Sequence, residues 1–294
     1  MVSCIVARVG PHSDVADLAK HSSVPVINAL SDAFHPLQTL ADFLTVHEAY
    51  PSAPTSASRD GLGLEGLKIA WVGDANNVLF DLAVGATKLG VDVAVATPPG
   101  YEIPPPMRAV IKQAAAGAPR AGALTETNVP EEAVKGADVL VTDTWVSMGQ
   151  EREKAARLKA FDGFQITAEL AKRGGAKEGW RFMHCLPRHP EEVADEVFYG
   201  PRSLVFKESE NRLWAAIGEE VLSLSFACWA NDVYSCYRGI RGQQGKDPVG
   251  AALLRGKPMG TSHVSRLPSR SSSPRCSRRA LREAAEIHQD PHSC

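Results

Sequence analysis

Polar residues with chemical potential recur in this sequence at one kind of place, just after short runs of β-branched residues. Arg8 follows the run that opens the chain, and His35 and Gln38 follow the second run, at the head of a long periodic stretch. Asn76 and Asn77 come after LKIAWVGD, and Asp143, Ser147 and Met148 after DVLVT. His184, Cys185 and Leu186 end RFMHCL, and Arg212 follows SLVFKESEN. In open parallel α/β sheets, ligands collect at the carboxyl ends of the strands. The co-occurrence therefore counts for more than any one residue.

The residue types divide by chemistry. Two arginines, a histidine and a glutamine suit a small, highly charged substrate bearing phosphate. An aspartate, an asparagine and a serine suit the ammonium and carboxylate of an amino acid. A cysteine with no triad-like partner in sequence need not be a nucleophile and can line the place where an amine reacts. Each residue also has an ordinary structural role open to it. Arg8 fits a surface charge, His35-Pro36 a helix start, and Asn76-Asn77 a helix cap. Asp143 fits a sheet-end cap, Cys185 an inert buried thiol, and Arg212 a helical pair with Glu208. A dinucleotide site is disfavoured, because Asp74, Ala75 and Asn76 follow Gly73 where G-x-G-x-x-G would be needed.

The elements that must position these residues alternate between β-branched runs and helical stretches, which argues for an α/β fold with a doubly wound parallel sheet. Strands are expected at Val2–Val9, Val24–Ile27, Leu67–Val72, Val91–Ala96, Ala123–Thr125, Asp138–Thr142, Arg181–Leu186 and Ser203–Phe206. Helices are expected at Asp14–Lys20, His35–Tyr50, Asn77–Leu89, Pro104–Gly117, Pro130–Lys135, Glu151–Phe161 and Glu191–Val197, with another starting at Glu208–Ile217. Residues 51–63, PSAPTSASRDGLG, form a polar loop. The part before residue 51 offers only two strands and two helices, too little to close a core, so it reads as an incomplete domain.

Hydrophobic residues make up 44% of the 294 residues and charged residues 22%, which excludes collagen, coiled coil and wholesale disorder. No apolar run approaches the ~20 residues of a membrane span, so no membrane partner is expected. The net charge of −2 conceals an asymmetry: residues 238–294 carry a net +7 and residues 1–237 a net −9. The basic tail is rich in Gly, Ser, Pro and Arg and reads as disordered, with a short helix conceivable at Arg278–Ile287. It lacks interleaved aromatics, and no nucleic-acid partner is expected. Six cysteines without a CxxC pair argue against zinc ribbons and for reduced thiols in an intracellular compartment. A zinc site at His288, His292 and Cys294 is disfavoured. The opening MVSCIVARVG is neither a secretory signal nor a transit peptide.

Over about Val2–Ile217 the chain resembles the aspartate/ornithine carbamoyltransferase family, and its ornithine branch in particular. The stretches that carry the likeness are ARVGPHSDVADLAKHSSVPVINALSDAFHPLQTLADFLT, WVGDANN, DVLVTDTWVSMGQE, HCLPRHPEEVADEVFYGPRSLVF and ENRLWAAI. HPLQTLAD is shared by the wider family, while D-x-x-x-S-M-G at Asp143–Gly149 and His184-Cys185-Leu186-Pro187 belong to the ornithine branch. The resemblance implies transfer of a carbamoyl group from carbamoyl phosphate to the δ-amine of L-ornithine, giving citrulline and phosphate in arginine biosynthesis, with no metal or organic cofactor. Arg8, His35, Gln38, Cys185, Leu186 and Arg212 would meet carbamoyl phosphate. Asn77, Asp143, Ser147 and Met148 would hold ornithine. Cys185, Arg212 and His35 would be the catalytic set. The implied domains are a partial carbamoyl-phosphate-binding domain at 1–50, a linker at 51–66, an ornithine-binding domain at 67–217 and a divergent tail at 218–294.

The chain departs from the family pattern in two places. It has no Ser-Thr-Arg-Thr phosphate loop, and the likeness stops after Ile217, so it reads as a truncated member with weak or no turnover of its own. Family members are homotrimers with sites at subunit interfaces, mitochondrial in many eukaryotes and cytoplasmic in bacteria; any targeting segment would be lost here. Transfer to aspartate or an acylated ornithine is the enzymatic alternative, and a non-catalytic amino-acid-binding remnant is the other.

Overall fold

The structure, a computed structural model, describes residues 2–50, 62–146 and 151–219. The basic tail, its conceivable helix, most of the 51–63 loop, Ser147 and Met148 lie outside the described residues.

In the first segment, strand β1 (Ile5–Arg8) pairs in parallel with β2 (Val26–Leu30) across helix α1 (His12–His21). The register shifts between Ala7 and Arg8, where the strand ends. Helix α2 (Pro36–Ala49) then begins with Pro36 in its first turn, where a ring-fixed φ and a missing N–H cost nothing. Its Phe43 and Val46 join the core of the sheet that follows.

That sheet has five parallel strands, β3 (Lys68–Val72), β4 (Asp92–Ala96), β5 (Leu124–Thr127), β6 (Val139–Thr142) and β7 (Arg181–His184), in the order β5-β4-β3-β6-β7. Helices α3 (Asn77–Lys88), α4 (Pro105–Ala116), α5 (Pro130–Val134), α6 (Lys154–Ala160), α7 (Ala168–Gly174) and α8 (Asp195–Phe198) connect or cover them. Helix α9 occupies 205–219 at the end of the described chain. A strand covered on both faces must be apolar on both, as β3 is. Ala70 and Val72 face a core with Leu140, Phe161 and Phe182, while Ile69 and Trp71 face one with Leu79, Val93, Val139 and Met183.

The chain leaves β3 toward β4 and β5, then returns to place β6 on the other side of β3. The switch point lies between the carboxyl ends of β3 and β6, where such sheets form their ligand crevice. Two glycines permit close approach. Gly73, with φ +151°, ends β3, and a Cβ there would sit 2.9 Å from Thr142 Oγ1. Gly85 lets α2 lie on α3, since a Cβ would meet the Phe43 ring at 2.5 Å.

Three expectations need correction. Ser203–Phe206 is not a strand. Only one bridge, Phe182 to Ser203, forms before α9 begins at residue 205. Val205, Glu208, Asn211 and Ala215 are buried at helical spacing, so packing overrides the β-branched preference of the short run. The helix expected at Glu191–Val197 is confined to Asp195–Phe198, because Val193 bridges Ile166 and the Glu192 side chain is committed elsewhere. Helix α7 was not anticipated, although both its end signals are present. The Thr167 side chain accepts from Leu170 N–H at 2.9 Å, and Gly175 takes the left-handed C-cap at φ +75°.

Candidate functional site

Two groups of side chains meet at the carboxyl ends of these strands. The first is cationic. His35, the residue before Pro36, is buried, and its Nδ1 has no partner among the described residues. Burial, reinforced by the charges of Arg212 and Arg8, holds its imidazole down at about 4. His35 is therefore neutral at physiological pH. Two guanidiniums, from the end of β1 and from α9, come close enough to act on one ring. Arg8 itself is exposed.

Gln38, one turn further along α2, is 1% exposed. Its Nε2 donates to Asp42 Oδ1 at 2.8 Å and to Glu208 Oε1 at 2.7 Å, while its Oε1 is buried with no partner among the described residues. Helix α9 is further fastened to α2 by Asn211, whose Nδ2 donates to Thr45 Oγ1 and Glu48 Oε2, both at 2.9 Å.

The second group lies at the switch point. Asn76 caps α3, its Oδ1 accepting from Val78 N–H at 3.0 Å and Leu79 N–H at 3.3 Å. Its Nδ2 donates to Asp143 Oδ2 at 2.8 Å. Asn77, the residue expected to hold the amino-acid end, donates from Nδ2 to the Ser31 carbonyl at 2.7 Å, fastening the second sheet to the loop after β2. Asp143 is buried, and burial raises its carboxyl above the ordinary range. Ser147 and Met148, assigned to the same end of the site, cannot be placed, because they lie outside the described residues.

At the end of β7, His184 is fully enclosed. Its Nδ1 accepts from Leu186 N–H at 2.9 Å, which requires the ring proton on Nε2, where it donates to Glu192 Oε2 at 3.0 Å. Glu192 also accepts from Trp145 N–H at 3.1 Å, His189 N–H at 2.8 Å and His189 Nδ1 at 2.9 Å. Burial pushes its carboxyl up, and hydrogen bonds from His184 and His189 outweigh that, leaving it below the ordinary range. One carboxylate thus joins the loop after β6 to the loop after β7. Arg157 holds the β6 loop from its other side, donating from Nε to the Trp145 carbonyl at 2.5 Å and pairing with Asp74.

Cys185 follows His184. Burial first, then the charges of Asp143, Asp42 and Glu208, raise its thiol well above the usual range, so it is held as a thiol and not a thiolate. Leu186 stands at φ +64°, a left-handed conformation that costs energy for a branched residue and that clusters at functional sites. Arg212 is only partly buried, and its charge acts on His35, Asp42 and Cys185. The pairing of Arg212 with Glu208 considered from the sequence does not occur among the described residues, since the Glu208 carboxyl takes N–H groups of Gln38 and His184 instead.

The arrangement unites Arg8, His35, Gln38, Arg212, Cys185 and Asp143, drawn from the first strand to the last helix. Sequence reasoning missed Asp42, Glu192 and Glu208 as parts of it. The available signals were the four-residue spacings Gln38–Asp42 and Glu208–Arg212 and the three-residue spacing His189–Glu192, each of which stacks side chains on one turn. Among the described residues no group of three or more His, Cys, Asp or Glu side chains is arranged to hold a metal ion. Among the described residues no helix is long and apolar enough to cross a membrane.

Comparison with known proteins matches this geometry. The family described as aspartate/ornithine carbamoyltransferase, Asp/Orn binding domain, matches residues 65–218, and its carbamoyl-P binding domain matches residues 1–48. The mitochondrial ornithine carbamoyltransferase of Emericella nidulans is 76% identical over 217 residues, covering 74% of this chain and 60% of its own. The mitochondrial ornithine transcarbamylase of Gallus gallus is 49% identical over 225 residues, 76% of this chain and 59% of its own. The crystal structure of a mitochondrial ornithine carbamoyltransferase from Coccidioides immitis superposes with a TM-score of 0.69 at 66% identity, over 76% of this chain and 68% of that one. The ornithine carbamoyltransferase from Pyrococcus furiosus does so with a TM-score of 0.65 at 46% identity, over 73% and 64%. The chain spans about three fifths of the length of the curated relatives it matches. With both family models matched, the chain belongs to the aspartate/ornithine carbamoyltransferase family.

Proposed function

We propose that this chain carries the machinery of an ornithine carbamoyltransferase, joining the carbamoyl group of carbamoyl phosphate to the δ-amine of L-ornithine with release of phosphate. The observation that carries the reading is the buried, neutral His35 lying under two arginine charges, with Gln38 one turn away and Cys185 and Asp143 facing them.

Arg8, His35, Gln38, Cys185, Leu186 and Arg212 form the carbamoyl phosphate side. Asn77, Asp143, Ser147 and Met148 form the ornithine side. Two guanidiniums suit a phosphate dianion, and they stabilise the oxyanion that develops when the amine attacks the carbamoyl carbon. Holding both substrates in line supplies the proximity term. The same cations disfavour an ammonium and so favour the free amine that must attack. The bond from nitrogen to the carbamoyl carbon forms, the carbon–oxygen bond to phosphate breaks, and phosphate leaves with the electron pair and takes up the proton that the amine nitrogen loses. Cys185, kept as a thiol, lines the path of the amine and needs no covalent step. Asp143, fixed by Asn76, receives the amino-acid end.

The working assembly is a homotrimer in the mitochondrial matrix, a reading supported by the family resemblance and by the names of the fungal relatives. Residues 1–50 serve carbamoyl phosphate, 51–66 link, and 67–217 serve ornithine. Calorimetric titration separates the possibilities. Binding of both L-ornithine and carbamoyl phosphate is expected. Ornithine binding alone would leave an amino-acid-binding remnant, and L-aspartate binding would indicate a different transferase.

A further inference from the structure

Glu208 stands one helical turn before Arg212, is 2% exposed, and makes no ion pair among the described residues. Its Oε1 accepts from Gln38 Nε2 at 2.7 Å and its Oε2 from the His184 backbone N–H at 2.9 Å. The second hydrogen of Gln38 Nε2 goes to Asp42 Oδ1 at 2.8 Å. A side-chain amide has two N–H donors, and both are spent on carboxyls. The amide oxygen is left on the far side, buried and without a partner among the described residues. A buried acceptor left bare is unfavourable, and a bound donor would recover that cost.

We propose that Glu208, together with Asp42, is a positioning residue of the site: the two carboxyls hold the Gln38 amide with its nitrogen toward them and its oxygen free to accept from the carbamoyl NH2 of the substrate. The inference rests on the carbamoyl phosphate reading and deepens it. Reversing the amide would set its oxygen against two carboxyls whose one proton is taken up in the bond between them, and would point its nitrogen at the substrate's own donor.

The surroundings fit a lock of this kind. Asp42, Asp143 and the His184 backbone face Glu208; Gln38, Glu208, Asp143 and Arg212 face Asp42. Burial first, then the Asp42 charge, holds Glu208 well above the ordinary carboxyl range, and burial raises Asp42 to about 7. The pair therefore keeps a proton at neutral pH, because two buried carboxylates this close cannot both ionise. The same Glu208 carboxyl also grips the residue before Cys185. One group thus ties α2, β7 and α9, which carry Gln38, Cys185 and Arg212.

The test uses the full 294-residue chain and its Glu208→Gln and Asp42→Asn variants, titrated calorimetrically with carbamoyl phosphate and separately with inorganic phosphate. Each variant keeps its shape but adds an N–H group where Gln38 needs only acceptors. The expected result is about tenfold weaker carbamoyl phosphate binding, the scale of one hydrogen bond, with phosphate binding changed less than about twofold. Equal weakening for both ligands would indicate a merely structural role and overturn the proposal, as would unchanged binding of both. A wild-type chain that fails to bind carbamoyl phosphate would sink the site reading and this inference together. Wild-type binding with unaltered variants would sink this inference alone.

Discussion

Glu192 and Glu208 are equally dry, at 1% and 2% exposure, yet their carboxyls are displaced in opposite directions. Glu192 receives four N–H groups, from Trp145, His184 and twice from His189, and is held as an anion. Glu208 receives two, from Gln38 and His184, and faces Asp42. Burial penalises the charged form of both, and the number of donors decides whether the penalty is overcome. Between the loops after β6 and β7 the chain fixes a full negative charge. Between α2 and α9 it keeps a proton on the carboxyl pair, which leaves the positive field of Arg8 and Arg212 less opposed.

Glu192→Ala should be the most damaging change. It strands four donors, two of them (Trp145 N–H and His184 Nε2) buried, and unties the loop after β6 from the loop after β7, at a cost of about 3–5 kcal/mol in urea unfolding. A loss below about 1 kcal/mol would mean the four hydrogen bonds do not brace the site. Gly85→Ala comes next, at about 1–3 kcal/mol, because the new methyl displaces the Phe43 ring and pries α2 from α3. Asn76→Ala should cost about 1 kcal/mol for the lost cap. It should also weaken L-ornithine binding, since Asp143 loses its donor.

The smallest effect is the most selective. The folded values of Asp42 and Glu208 both lie above their unfolded values near 4, so the native state holds protons that the unfolded chain releases. Their contribution to stability therefore falls as pH rises above about 4, for Asp42 until about 7. Glu192 runs the other way: its contribution is present above its unfolded value near 4.5 and is lost as pH falls through its lowered folded value. Thermal melts across pH should show Asp42→Asn flattening the first trend and Glu192→Gln the second. Both variants altering the same limb would break the contrast.

Much of this was legible in the sequence. β-branched runs located the seven strands of the described residues, most plainly β3, β4, β6 and β7, which are largely buried and apolar, while the exposed LTET of β5 was carried by its threonines. The ends of those runs supplied Arg8, His35, Gln38, Asp143, Cys185 and Arg212. Residues 203–206 misled, because four apolar and β-branched residues look alike in a strand and in the first turn of a buried helix. The bond from Asn77 to Ser31 could not be read, because it is a long-range contact that no local pattern encodes. Asp42, Glu192 and Glu208 read as ordinary helix or loop acids, since charge in a sequence carries no mark of burial.

The account stands on side chains from opposite ends of the described chain meeting where an amine would react. The direct measurement is the alkylation rate of Cys185 beside that of Cys4, followed by peptide mass spectrometry with and without carbamoyl phosphate plus L-ornithine. The account predicts slow labelling of Cys185, slowed at least about tenfold more by the two ligands together, with Cys4 unaffected. Cys185 labelling that ignores both ligands would contradict it.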